Sequence, residues 1–213
     1  MLGAPKQNLM NSRSYVSPRR DASAARTRQR LLRAAARLLR SPQGLRALSL
    51  DSVARAAEVS RLTVYNQFGS RRGLLEAVFD ERAERGGLHR IPEALAEPDP
   101  RVGVARLIEI FCAFWDFDRE PLARLFSASV ADPELRRSLR ARNERRRKVL
   151  AVLVGRLVTR QEVRAKAADN LVDVLFALTA FPMFAELVER GRDGAAACQL
   201  IQMLAEGALA ASR

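Results

Sequence analysis

From Ala24 onward the apolar residues of this chain recur every three or four positions, and nowhere do they alternate over a useful length. That periodicity points to an all-α fold, because a helix buries one apolar stripe and must lay it on other helices. About nine helices can be read. The first spans Ala24 to Arg40, with Leu31, Ala35, Leu38 and Leu39 on one face and Pro42 and Gly44 as its stop. Ser49 opens a second helix that runs to Ala57, with Asp51 in its first turn. Glu58-Val59-Ser60 breaks the chain before a third helix, Arg61 to Phe68. Gly69 ends that helix, and Ser70 is placed to cap a fourth through Arg85. Gly86-Gly87 and the stretch Pro92 to Pro100 predict a hinge. The fifth helix, Arg101 to Phe117, is apolar nearly all round and therefore central. A sixth (Pro121 to Val130), a seventh (Pro133 to Thr159), an eighth (Val163 to Glu189, bent or broken at Pro182) and a ninth (Gly194 to Ala210) follow. The expected organisation is a flexible basic tail over 1–22, one domain over 23–88 and another over 89–213.

Composition removes several classes of function. The chain has 213 residues, and with 48% of them hydrophobic it can bury a substantial core. Two cysteines, Cys112 and Cys198, exclude a disulfide framework and multi-cysteine zinc sites, and a single histidine, His89, excludes histidine-cluster metal sites. No paired acid and base, activated nucleophile or metal constellation is visible. We expect no enzyme, no metal and no cofactor. The longest uncharged apolar stretch, Val174 to Ala185, is too short to cross a bilayer. The first eight residues have no apolar signal region. A cytoplasmic protein without a membrane partner is the expectation.

Charge is unevenly distributed. The net charge is +13, and residues 1–90 carry 18 basic against 7 acidic residues, while 91–213 carry 19 against 17. A basic segment joined to a near-neutral body is the footprint of a nucleic-acid-binding module on a second domain. A solvated, arginine-rich surface has the same arithmetic.

The two short helices around Glu58-Val59-Ser60 have the form of a helix-turn-helix, with Val53, Ala54, Ala57, Val59, Leu62, Val64 and Phe68 as its apolar positions. Small Ala54 and Ala57 allow close approach. Such a pair can also be plain structure. The run Thr63-Val64-Tyr65-Asn66-Gln67-Phe68, followed by Ser70, Arg71 and Leu74-Leu75, is more specific. Over residues 26–79 the chain resembles the DNA-binding segment of the tetracycline-repressor (TetR-type) family of helix-turn-helix transcriptional regulators. The sequence departs from the family pattern at four positions. Glu58 stands where glycine is usual in the turn, Leu62 where glycine is common, Gln67 where histidine is common and Arg71 where lysine is common. A non-glycine residue at positive φ costs roughly 1 kcal/mol.

Roles follow from the side chains. Arg61 is the best base reader, since a guanidinium can pair with guanine O6 and N7. Thr63 and Asn66 come next, Leu62 can meet a thymine methyl, and Ser60 and Gln67 complete the candidate DNA-binding set. Thr27, Arg28, Ser49, Tyr65 and Arg71 suit phosphates, which set register rather than sequence. The partners expected are a double-stranded DNA operator and a second copy of the chain.

The second domain matches the family only in layout. The resemblance implies an inducer cavity between the fourth and eighth helices, with Phe111, Phe114, Trp115, Phe117, Phe126, Phe176 and Phe181 as candidate lining. Without the resemblance these aromatics read equally as a packed core. Heptad spacing carries the apolar stripe of the seventh helix through Arg142 and Arg146, so one of them is expected to point inward and need an acidic partner among Glu109, Asp116, Asp118 and Asp173, or an acidic ligand. Leu171, Val174, Leu178, Leu200, Met203, Leu204 and Gly207 suit a symmetric dimer seam on the last two helices. Together these features predict a ligand-released repressor. The alternative is a DNA-bound structural or cell-division factor without a ligand, which an undersized pocket would favour.

Overall fold

The computed structural model describes residues 18–41 and 43–213, and the all-α expectation holds there, with no strand among the described residues. Eleven helices are present: α1 (Pro18–Arg40), α2 (Leu50–Ala56), α3 (Arg61–Phe68), α4 (Arg71–Arg85), α5 (Ile91–Ala96), α6 (Pro100–Phe117), α7 (Arg119–Ala128), α8 (Pro133–Thr159), α9 (Ala168–Leu178), α10 (Phe181–Glu189) and α11 (Gly194–Ala211). Residues 1–17 of the expected tail and the Pro42 stop lie outside the described residues.

Three expectations need correction. First, α1 begins at Pro18, inside the segment 1–22 read as a tail. Proline has no N–H to lose in a first turn and its φ is already helical, so it starts a helix as readily as it breaks one. Second, the Pro-rich stretch is not an open hinge. Leu88–Arg90 forms a 3-10 turn and α5 follows, with Pro92 in its first turn. Helix α5 lies close on α6 because Gly103 has no side chain; a Cβ there would sit 2.7 Å from the Ala94 carbonyl oxygen. Third, the long eighth helix is two helices, and the axes of Ala165–Leu178 and Phe181–Glu189 differ by 47°. Pro182 sits in the first turn of α10 and cannot continue the ladder from α9.

Helix α6 is central, as its all-round apolarity predicts. Val104, Leu107, Ile108, Ile110, Phe111, Phe114 and Trp115 are all buried. It packs on α5, α7, α8, α10 and α11. Helices α1 to α3 form a small head whose core is Leu31, Ala35, Leu39, Val53, Ala54, Ala57 and Val64. Helix α4 belongs to both parts: it packs on α1 and α3 and also on α8. Helix α11 is long and apolar enough to cross a membrane, yet it packs on α6, α9 and α10, and its Glu206 pairs with Arg101 on α6 at 3.5 Å.

The head is tied to the body by a buried carboxylate. Asp118, between α6 and α7, accepts a hydrogen bond from Arg40 Nη2 of α1 at 2.8 Å and another from Arg82 Nε of α4. Both Asp118 and Arg82 are buried. Burial opposes the charge on Arg82, but the hydrogen bond and charge of Asp118 outweigh it, so the guanidinium pKa lies above its ordinary value. Replacing Asp118 with Ala would leave that buried cation only the longer contact with Glu81, at 3.5 Å, and breaking a buried pair typically costs about 3–5 kcal/mol. We expect the urea midpoint of Asp118→Ala to fall accordingly; a loss under about 1 kcal/mol would show that water can replace the carboxylate.

Candidate functional site

The head presents a short helix with a bare outer face. Ser60 caps α3, its Oγ accepting the Thr63 N–H at 3.1 Å and lying 2.9 Å from Thr63 Oγ1. Ser49 caps α2 in a reciprocal pair with Ser52. Gly69 and the Ser70 cap separate α3 from α4. Gly73 is required at the junction, because a Cβ there would stand 2.0 Å from the Phe68 carbonyl oxygen. Leu62 and Tyr65 are 64% and 56% exposed, unusually high for large apolar and aromatic side chains, and Arg61 and Asn66 are exposed beside them. Arg61 Nε lies 3.3 Å from Asp51 Oδ1, with both side chains largely in solvent. Such a pair is worth under about 1 kcal/mol, so the guanidinium is readily redirected.

Ser60, Arg61, Leu62, Tyr65 and Asn66 therefore share one accessible surface. Thr63 and Gln67 are half-buried at its edge, as are Ser49 and Thr27 on their own helices. Two expected phosphate ligands are otherwise engaged. Arg28 Nη1 donates to the Gln67 carbonyl oxygen at 3.0 Å and its guanidinium lies 4.7 Å above the Phe68 ring, holding α1 against α3. Arg71 Nε donates to the Leu48 carbonyl oxygen at 3.1 Å, and its Nη1 donates to Asp132 Oδ2 at 3.0 Å. Asp132 is the cap of α8. The backbone hydrogen bond from Leu135 and the bond from Arg71 hold its carboxyl below the usual carboxylate range against an opposing effect of burial. Arg71 is thus a clamp between head and body. Arg37 of α1 and Arg124 of α7 similarly donate to backbone carbonyls, of Ala56 and Ser41.

A cavity of about 260 Å³ lies between α4, α6, α7 and α8. Five of the expected lining residues do line it: Phe111, Phe114, Trp115, Phe126 and Arg146. Phe181 lies behind, its ring stacked on Phe126 at 4.8 Å. Phe176 lies beneath Arg146, whose guanidinium is 4.2 Å from its ring centre. Phe117 is not in the wall; it is 40% exposed, under Arg82 and Arg85. Arg142, singled out with Arg146 by its heptad spacing, is also in the wall, and sequence reading missed Phe79, Asp80 and Ala83 of α4, Leu88, Ile91, and Leu139, Asn143, Arg145 and Val149 of α8. The spacing of Arg142, Arg146 and Val149 was the available signal.

Arg146 does point inward, but none of the four expected acids meets it. Asp118 serves Arg40 and Arg82, Asp173 pairs with Arg147, and Asp116 pairs with Arg119. Arg146 Nη1 instead donates to the Thr179 carbonyl oxygen at 2.7 Å, which also accepts Trp115 Nε1 at 3.0 Å. Its buried Nε has no acceptor among the described residues. Burial lowers its pKa to about 10, which still leaves it charged at neutral pH. Arg142 is paired: Nη1 donates to Asp80 at 2.8 Å and Nη2 to the Glu76 carbonyl oxygen at 3.1 Å, both on α4.

Residues 31–78 match the family model described as bacterial regulatory proteins, tetR family. The chain carries a TetR-type head on a TetR-type fold. The HTH-type transcriptional regulator AlkX of Mycobacterium tuberculosis is 34% identical over 116 residues, 54% of this chain and 48% of that protein. The match thus spans about half the length of this curated relative. A TetR transcription regulator from Haloarcula marismortui superimposes with TM-score 0.64 at 15% identity, over 88% of this chain and 98% of that one. The multidrug binding protein EbrR, complexed with imidazole, gives 0.54 at 23% identity, over 88% and 90%.

Helices α9 and α11, neither of which lines the cavity, pack together and leave apolar residues in solvent. Val174, Met203 and Leu204 are exposed, Leu178 and Leu200 half-buried. Gly207 is exposed, with open space where its Cβ would be. Leu171 is not on this face; it is buried in the protomer core. Val174 and Leu178 meet the surface, whereas Leu171 and Leu175 lie on the buried side of α9.

The TetR-type turn carries a strained residue. Glu58 keeps φ at +53° without being glycine. Glu58→Gly should therefore stabilise the protein by roughly 1 kcal/mol. Urea unfolding measures it, and a loss of stability would mean that the Glu58 side chain makes a compensating contact.

Proposed function

We propose that the chain is a homodimeric, sequence-specific DNA-binding transcriptional regulator that acts in the cytoplasm as a repressor and is released from its operator by a small ligand. The exposed face of α3, with Arg61, Leu62 and Asn66 accessible to base edges and Tyr65 to a phosphate, carries this reading. The major groove admits one helix, and Arg61 supplies the side chain best matched to guanine. The similarity to AlkX, itself named as an HTH-type transcriptional regulator, supports the same class. The apolar seam on α9 and α11 supports a two-fold dimer, which would set two reading helices against half-sites one turn, or a multiple, apart. The cavity supports a ligand, because α4 forms both part of its wall and part of the packing of the head. A tenfold loss of operator affinity requires about 1.4 kcal/mol of coupling. That EbrR is named as a multidrug binding protein is consistent with a ligand site in this fold.

Selection from a random duplex library should return an inverted repeat; enrichment of no sequence would refute the reading. On the best operator Arg61→Ala should cost about 1–3 kcal/mol and on random DNA much less. Equal losses on both would remove its base-reading role. The double substitution Met203→Glu and Leu204→Glu places charge on side chains already in solvent in the protomer, so folding should survive. Sedimentation should then report monomers, with operator binding sharply weakened. A dimer that persists places the interface on another face.

A further inference from the structure

The cavity has an uncompensated charge in its wall. Arg146 is 94% buried by its 6% residual exposure, lines the cavity, and has no carboxylate within ion-pair distance among the described residues. One guanidinium nitrogen, Nη1, is used on the Thr179 carbonyl; Nε has no acceptor. The faces of Phe176 and Phe111, at 4.2 and 5.8 Å, steady the cation but carry no net charge. A buried cation with an unused N–H is stable only at a cost that an anion would remove. Of the other two arginines in the wall, Arg142 is matched by Asp80, and Arg145 is exposed and keeps its charge in water, so the unbalanced buried charge is one unit.

We propose that the cavity takes a small aromatic carboxylate whose carboxyl group pairs with the free edge of the Arg146 guanidinium. One negative charge balances the one unmatched buried cation, whereas a phosphate dianion would leave an excess buried. Carboxylate geometry also fits two adjacent guanidinium N–H groups. The rest of the molecule is set by the walls. Phe111, Phe114, Trp115 and Phe126 offer ring faces and edges. The volume, about 260 Å³, can be compared with a cavity of about 150 Å³ that accepts benzene. One ring with a short acidic arm fills the difference, and an acyl chain lacks the ring that the aromatic walls can stack on.

This inference rests on the reading of the cavity as a ligand site, but its test does not need DNA. The full-length protein is titrated calorimetrically with benzoate, phenylacetate and 3-phenylpropanoate, with their primary amides, and with octanoate. At least one aromatic carboxylate should bind ten-fold or more tightly than its amide, and octanoate should bind more weakly. Arg146→Met should abolish the difference between acid and amide and raise the thermal midpoint of the ligand-free protein. Arg140→Gln, an exposed position on the same helix outside the cavity wall, should leave the acid preference in place. Equal binding of acid and amide to the wild type, or no binding by any of the three aromatic acids, overturns the proposal even if Arg146→Met fails to fold. Operator binding is measured separately with the same compounds. An acid that binds without releasing DNA supports the carboxylate site and refutes ligand release; release by a neutral compound alone does the reverse.

Discussion

The arrangement depends most on one carboxylate removed from water. Asp118 leaves α6 at the point where α7 begins and draws in an arginine from α1 and another from α4. Those two helices carry the recognition element. A buried ion pair stabilises little over an apolar substitute, but it discriminates strongly among alternative packings, because any arrangement that separates the charges strands one of them. The orientation of the head on the body is therefore held by a charge-matched joint, with Arg71 and Asp132 as a second, more exposed one. Between the two runs α4, the helix that a molecule in the cavity would touch.

Much of this was legible because the signals are local. The limits of α3 follow from Ser60, Gly69 and Ser70, each acting within one turn of its own position. The centrality of α6 follows from its all-round apolarity. The misreadings share a different character. Proline was read as a breaker at Pro92, where it sits in a first turn. Phe117 and Leu171 lie at the ends of apolar stripes, where a small error of helical phase exchanges core for surface. Arg71 and Arg28 have the side chain of a phosphate ligand, but Arg71 has a partner 61 residues away, and Arg28 is engaged across 39. No local pattern encodes such contacts. The inward direction of Arg146 was visible in heptad spacing; its want of an acid was not.

That want originates in a proline. Pro182 forbids a continuous helix, so the chain turns at Thr179 and Ala180. The Thr179 carbonyl, no longer committed to a helical ladder, takes the indole N–H of Trp115 and one N–H of Arg146. A backbone dipole thereby occupies the place expected for a carboxylate. It orients the guanidinium without neutralising it.

The arginines that fasten the head have a further consequence for its electrolyte behaviour. Arg28, Arg37 and Arg71 donate to the carbonyls of Gln67, Ala56 and Leu48, and Arg40 and Arg82 share Asp118. These side chains belong to the basic half of the chain but are committed to holding it together. Each phosphate neutralised on duplex DNA contributes about 0.9 to the logarithmic dependence of affinity on salt. The excess of 18 basic over 7 acidic residues in positions 1–90 therefore overstates the counterions a DNA complex would displace. Its affinity would be less sensitive to ionic strength than the bare charge count implies, leaving more of the binding to groove contacts.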